Sequence, residues 1–302
     1  MELVSGIPIL PPRESHGHKG TFGSVLVIGG HAANPMMLGG PALAARAALR
    51  SGCGLCTLAM PAPLLAAALG MTSSATGCEL EVDAAGEIKS SAAAETLDPI
   101  VARMQAVVVG PGLGAGFAVQ QLTLRLAVMV ETTLVIDADA LNALAATPDF
   151  ARDMKAPIIL TPHPGEFARL AKGLQLDADA MDPNTRARAA CEMAARLGCV
   201  VALKGANTVV SDGVRVWICE AVEPALATGG SGDTLSGLIA GLAAQFARGT
   251  FGAPLTLFDL TRLAVHLHAL SAAMWSAKHG HAGMLALEIA DGIPDAMAAM
   301  RS

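Results

Sequence analysis

The 302-residue chain has no tyrosine, only two tryptophans, and an aromatic content of 3%. Charged residues make up 15%, and the 26 acidic side chains outnumber the 20 lysines and arginines. With no basic tract and few rings on which bases stack, the composition excludes a nucleic-acid binder. An uninterrupted apolar run of membrane-spanning length is also lacking. The longest charge-free stretch, Ser51 to Cys78, is broken by Pro61, Pro63 and several glycines. It reads as a buried strand and a helix start, not a membrane span. Met1 to Gly20 shows no basic segment leading into an apolar run, so no secretion signal is read and a cytoplasmic location is expected. The six cysteines are scattered at positions 53, 56, 78, 191, 199 and 219. Cys53 and Cys56 have C-x-x-C spacing, but no second pair or histidine follows at zinc-site spacing. They read as small buried residues in a reducing compartment.

Hydrophobic residues account for 53% of the chain. That content, with so little charge to cover a surface, predicts a well-buried core and subunit interfaces, hence a homo-oligomer; a tetramer is the favoured size, which composition does not fix. Short apolar runs alternate with helical patterns: "SVLVIGG", "CGLCTLAM", "AVVVGPGLG", "TTLVIDADALNAL", "PIILTPHPGEFARLA" and "CVVALKG" are strands ending in glycines or running into helices. "NPMMLGGPALAARAALRSG" reads as an Ala-rich helix closing at Gly52. Strands apolar on both faces belong to a parallel sheet covered by helices on both sides. "NTVVSDGVRVWICE" departs from this rhythm and reads as a hairpin turning at Asp212-Gly213. The fold class is therefore α/β, a doubly wound, mostly parallel sheet with a C-terminal helical region. No linker or composition break divides residues 1–302, so one domain is expected. In such sheets ligands sit beyond the carboxyl ends of the strands.

The unusual residues cluster at those ends. "ATGGSGDTLSG", Ala227 to Gly237, places Thr228, Gly229, Gly230, Ser231, Gly232 and Asp233 at the mouth of an apolar helix. A helix N-terminus carries unpaired N–H groups and a partial positive charge, and glycines let a phosphate approach the backbone. A simple N-cap needs one Asp or Ser, not four glycines around it. Asp233 is then placed to accept a hydroxyl proton as general base. Lys204, Gly205, Ala206, Asn207 and Thr208 follow the strand "CVVAL" as a phosphate or adenosine grip, or as a surface turn. His163 and Glu166 lie after "PIIL". Glu166 is a candidate for holding Mg²⁺ through water, or with Thr161 a helix cap. Asp137, Asp139 and Asn142 in "DADALN" are candidates for a ligand or ion role, with Asp139 alternatively a cap. Gly110 to Gly114 form another tight loop after a strand, a weak signal alone. His16 and His18 read as loop residues. Lys19 stands out because "KGTFG" leads into the first strand. His266 and His268 read as packed or surface residues of an apolar helix.

Taken together, "HKGTFGSVLVIGG", "GGPALAARAALRSGCGL", "VVVGPGLG", "LVIDADALNAL", "LTPHPGEFARL", "VVALKGANTVVSDG" and "ALATGGSGDTLSGLIAGL" resemble the ADP- or ATP-dependent NAD(P)H-hydrate dehydratases of the ribokinase-like superfamily. The segments occur in that family's order over about residues 16 to 245. The resemblance implies a substrate, the hydrate of NADH or NADPH, carrying a hydroxyl at C6 of the nicotinamide ring. That hydroxyl is phosphorylated from ADP or ATP, and phosphate is then eliminated. It further implies Asp233 as the base, the Gly229–Gly232 loop as the stabiliser of phosphoryl charge, and Lys204 to Thr208 with Gly232 as adenine-nucleotide contacts. Gly40, Gly112 and His163 would line the hydrate side. Glu166 would lie near Mg²⁺ in the last position of an Asn-x-x-Glu motif whose Asn is here His163. Bacterial-type motifs lean towards ADP. A separate hydrate epimerase is expected. The chain departs from the pattern in having Val222-Glu223-Pro224 where the family shows Gly-Asn-Pro, and Gly39-Gly40 where it shows Gly-Ala. The signature alone also suits a ribokinase-like small-molecule kinase of the hydroxymethylpyrimidine, hydroxyethylthiazole or pyridoxal type. A non-catalytic nucleotide-binding module gains nothing from a carboxylate facing phosphate.

Overall fold

Alternating side chains of the short strands divide between two apolar cores, and this fixes the architecture. In the computed structural model, which describes residues 1–129, 131–152, 154–249 and 254–301, Val25 and Val27 enter one core while Leu26 and Ile28 enter the other. Ala106 and Val108 alternate in the same way with Val107 and Val109, and Val200 and Ala202 with Val201 and Leu203. A period of two with both faces apolar is what a sheet buried on both sides requires.

The elements run in chain order β1 (Glu2–Leu3), β2 (Ser24–Ile28), α1 (Gly39–Arg50), β3 (Leu55–Pro61), α2 (Ala62–Met71), β4 (Thr76–Leu80) and α3 (Ser90–Val101). Next come β5 (Ala106–Val109), α4 (Phe117–Ala127), β6 (Thr133–Ile136), α5 (Ala138–Ala145), β7 (Ile158–Leu160), α6 (Pro164–Leu174) and α7 (Arg186–Leu197). The chain continues with β8 (Val200–Leu203), β9 (Val209–Ser211), β10 (Arg215–Ile218), α8 (Ser231–Phe246), α9 (Leu257–His279) and α10 (Ala286–Ala299). The strands form one sheet ordered β1-β10-β9-β8-β7-β6-β5-β2-β3-β4. Among the described strands only β9 runs against the rest. It pairs with β10 in the hairpin expected around Asp212-Gly213. Helices α1, α2, α8, α9 and α10 cover one face, and α3 to α7 the other. Among the described residues, no helix is long and apolar enough to cross a membrane.

Two strands were not legible. β1 is only two residues long, and β4, "TGCEL", is a largely exposed edge strand with no apolar alternation. The six cysteines are free thiols, and all but Cys78 are buried.

Helix α8 carries the glycine-rich loop at its start and is buried along nearly its whole length. It lies against the Ala-rich α1 at a separation that side chains would forbid. A Cβ on Gly237 would stand 2.0 Å from the Ala44 carbonyl oxygen, and one on Gly241 2.1 Å from Ser51 Oγ. This contact brings the N-termini of α1 and α8 side by side at the carboxyl end of the sheet. Gly237→Ala raises intrinsic helix propensity, yet it forces the two backbones apart. It is expected to lower unfolding free energy by about 1–3 kcal/mol. Chemical denaturation checks this, and an unchanged or higher stability would contradict the backbone contact.

Candidate active site at the carboxyl ends of the strands

The α8 loop is shaped by Gly230, the N-cap, which has a φ of 91°. A Cβ there would meet Leu43 at 2.5 Å and Ala286 at 2.9 Å. Glycine is thus required twice, by its left-handed backbone and by the space. No side chain caps α8, and the N–H groups of Gly229, Gly230, Gly232 and Asp233 donate to no acceptor among the described residues. α1 likewise starts without a side-chain cap. Two free helix N-termini therefore meet where an anion is best accommodated.

Asp233 lies in the first turn of α8, half-buried against α1. A Cβ on Gly40 would stand 3.1 Å from its carboxylate oxygens. Burial pushes the Asp233 carboxyl up to about 7, and Asp137, Asp139 and Glu166 add to the rise against the pull of Lys204. Lys204, just past β8, is the counter-charge. Its Nζ is 2.7 Å from Asp137 Oδ1 and 3.8 Å from Glu166 Oε2. Burial alone would lower its pKa, but Asp137, Glu166 and Asp233 outweigh it and hold the ammonium above its ordinary value. Asp137 is 1% exposed, and its Oδ2 has no hydrogen-bond partner. The next residue, Ala138, has a φ of 48°, which is strained for a residue with a Cβ.

His163 caps α6, and Thr161 does not. Its Nδ1 accepts from the Gly165 N–H at 3.0 Å, while Glu166 Oε2 accepts from the His163 N–H at 2.8 Å. The two form a reciprocal capping box. Thr161 instead donates to the Ile136 carbonyl. Because Nδ1 accepts, the ring proton sits on Nε2, 3.4 Å from Glu166 Oε1. Burial lowers the His163 pKa, as do Lys204 and Arg169, so the ring is neutral at pH 7. Burial raises Glu166 to about 7, against the pull of Lys204.

A cavity of about 650 Å³ joins these groups. Asp137, His163, Lys204, Gly205, Ala206, Thr208, Thr228, Ser231, Gly232 and Asp233 all face it. Gly40 lies against Asp233 and Gly112 beside Met37, and neither lines this cavity itself. Asn207 turns its amide to the Cys219 carbonyl and shapes the loop. Asp139 accepts from the Gly114 N–H at 2.8 Å and ties down the Gly110–Gly114 loop, rather than capping α5. Asn142 accepts from Arg169. Lys19 lies at the amino ends of β2 and β3, at the opposite edge of the sheet. Its carbonyl lies where a Cβ on Gly54 would point.

Two further polar residues that the sequence does not mark as site residues line the cavity wall. His268 is buried in α9, and its Nε2 donates to the Ser231 carbonyl at 3.0 Å. Burial pushes its pKa down to about 4, so it supports the loop as a neutral donor. Its only mark in the sequence is a polar residue in an apolar helix. Glu223 faces the cavity from the segment before the loop.

Among the described residues, no three His, Cys, Asp or Glu side chains gather closely enough to hold a metal ion by themselves. The orphaned Asp137 Oδ2 and nearby Glu166 instead fit a Mg²⁺ ion that keeps most of its waters.

Residues 25–295 match the family model described as NAD(P)H-hydrate dehydratase. The chain is 37% identical over 290 residues to the ADP-dependent (S)-NAD(P)H-hydrate dehydratase of Neisseria meningitidis serogroup B, covering 93% of this chain and 87% of that protein. It is 36% identical over 294 residues to a bifunctional NAD(P)H-hydrate repair enzyme of Moorella thermoacetica, covering 94% of this chain and 51% of the relative. The chain thus spans about half the length of such bifunctional relatives. The crystal structure of an ADP/ATP-dependent NAD(P)H-hydrate dehydratase from Bacillus subtilis, co-crystallized with ATP/Mg²⁺, has a TM-score of 0.74 to this chain. It is 28% identical, with 97% of this chain and 95% of that one covered.

The Asp233 environment has a consequence for stability. Its folded pKa of about 7 lies above the ordinary 3.8. Stability linked to the protonated carboxyl is therefore full below pH 4 and lost as the pH rises through 7. Asp233→Asn carries no such charge. It is expected to be more stable than the parent by about 1–3 kcal/mol at pH 8, with the gain fading towards pH 4. Paired denaturation curves at the two pH values test this, and a gain independent of pH would rule out the buried charge as its cause.

Proposed function

Because the chain belongs to the NAD(P)H-hydrate dehydratase family, we propose that it restores NADH or NADPH from the 6-hydroxy hydrate, using ADP or ATP as phosphoryl donor. The observation that carries the reading is Asp233, a carboxyl tuned to about 7 beside two uncapped helix N-termini. A base near the working pH is deprotonated often enough, yet takes a hydroxyl proton far more readily than an ordinary carboxylate.

Asp233 removes the proton from the C6 hydroxyl as its oxygen bonds to the terminal phosphorus of the nucleotide. The bond to the leaving phosphate oxygen breaks. The N–H groups of Gly229, Gly230 and Gly232, with the Lys204 ammonium, take up the charge of the phosphoryl in flight, which is where most catalysis of this transfer lies. Phosphate then departs from C6 while a proton leaves the adjacent ring carbon, restoring the dihydropyridine double bond. Gly40 keeps Asp233 unobstructed on the substrate side, and the neutral His163 adds a donor there. Gly112, beside Met37, would line the hydrate on this side. Gly205, Ala206 and Thr208 grip the nucleotide, with Asn207 fixing their loop. Mg²⁺, when bound, neutralises phosphate oxygens, and Glu166 and Asp137 are the residues that would hold it through water. The low charge content supports assembly of several copies, and the excess of acidic over basic side chains supports a small-molecule rather than a nucleic-acid ligand.

The test is recovery of the near-ultraviolet absorbance of reduced nicotinamide from hydrated NADH or NADPH. Recovery is expected to need nucleotide and Mg²⁺ and to release free phosphate. Accumulation of a phosphorylated substrate would instead make the chain a kinase. Asp233→Asn is expected to lose turnover by about two to four orders of magnitude, with nucleotide binding retained. Parent kcat/KM is expected to fall as the pH drops below about 7. Near-normal turnover of the variant would remove Asp233 from the mechanism.

A further inference from the structure

Glu223 stands where the family pattern has asparagine, and its surroundings differ from those of a surface carboxylate. Its side chain is 9% exposed. One oxygen, Oε1, receives three donors: the Ala225 N–H at 3.2 Å, Ser276 Oγ at 2.8 Å and His281 Nδ1 at 3.0 Å. They come from the turn after Glu223, from α9 and from the α9–α10 connection, so the carboxylate is held in one orientation. The other oxygen, Oε2, accepts no hydrogen bond among the described residues. Burial alone would raise the Glu223 carboxyl, but the donors from His281, Ser276 and Ala225 outweigh it and keep the group ionised.

This carboxylate faces the same cavity as Lys204, Gly232 and Asp233. Leu226, Val265 and Ala269 supply an apolar lining to that cavity. The second oxygen of this fixed, ionised carboxylate is left to water or to a donor that a ligand brings into the cavity. Phosphate oxygens supply none at neutral pH. The donors of an adenine nucleotide are its ribose hydroxyls and its 6-amino group, and both lie on the nucleoside half.

We infer that Glu223 reads the nucleoside half of the phosphoryl donor, its free oxygen accepting a hydrogen bond from a ribose hydroxyl while the phosphates point to Lys204 and Gly232. The inference rests on the proposed use of an adenine nucleotide in this cavity. It adds a specificity residue at a position where the family pattern has asparagine. The apolar lining takes the base, the fixed carboxylate takes the sugar, and the ammonium and loop amides take the phosphates.

The experiment compares ADP with 2′-deoxy-ADP, 3′-deoxy-ADP and inosine diphosphate, on the full chain and on Glu223→Gln. The parent is expected to use one of the deoxy nucleotides with a KM about tenfold above that of ADP. Glu223→Gln is expected to raise the KM for ADP by a similar factor, with the smaller effect on kcat, and to abolish the preference for the intact ribose. Equal use of ADP and both deoxy nucleotides by the parent overturns the inference even if the variant does not fold. Discrimination by the parent only against inosine diphosphate, lost in the variant, overturns the ribose assignment in favour of the 6-amino group. A parent chain that uses no adenine nucleotide at all refutes the proposed function instead.

Discussion

One buried ammonium decides how the rest of the site is built. Lys204 reaches from the end of β8 to Asp137 at the end of β6, to Glu166 in α6 and towards Asp233 in α8. Three carboxylates so close would repel one another and lose their hydration; a single cation among them makes the arrangement tolerable. The lysine also dictates its neighbours. A Cβ on Gly232 would stand 3.1 Å from Nζ, so that loop position has no room for a side chain unless the ammonium moves. Asp137, in turn, is held at the mouth of the cavity because Gly110 lets β5 and β6 end in close contact. A Cβ on Gly110 would fall 1.8 Å from the Asp137 carbonyl oxygen.

The second constraint is mechanical. Catalytic loops in open α/β sheets gather at the carboxyl ends of the strands, but nothing in that rule brings two helix starts together. Here the small faces of α1 and α8 do so. With Gly237 against Ala44 and Gly241 against Ser51, the helices lie closer than ordinary side chains allow. Both begin uncapped at the same place. The alanines of α1 are thus part of the active-site geometry, although they lie far from the chemistry along the chain.

Most of the sheet was legible because its central strands are short, apolar on both faces and run into a glycine turn or directly into a helix. β4 was not, since an exposed edge strand has no core face to pattern it. Among the site residues, the glycine-rich loop, Asp233, Lys204 and His163 announce themselves by residue type at strand ends. His268 and Glu223 do not. Each acts through a contact made by the fold: His268 with a carbonyl 37 positions earlier, and Glu223 with Ser276 and His281. Asp139 and Asn142 are candidates for a ligand role in sequence, and in the fold they accept hydrogen bonds from Gly114 and Arg169. Lys19 stands out in sequence because "KGTFG" leads into a strand, and in the fold its backbone packs against Gly54 at the far end of the sheet.

A carboxylate inside an anion hole is a conflict, and the conflict is what makes Asp233 useful. An aspartate in water holds a proton too weakly to draw one from a hydroxyl. Burial and three neighbouring acids raise its affinity until it matches neutral pH; Lys204 limits the rise so that the charged form stays populated. In the proposed reaction an incoming nucleotide would bring more negative charge and push in the same direction, so the base would strengthen as the phosphoryl group arrives. The helix N-termini and Lys204 would then carry the charge that the proposed transfer creates. The same crowding that lowers the stability of the resting fold therefore favours proton removal at the moment phosphate is present, a trade seen wherever function holds charged groups against their preference.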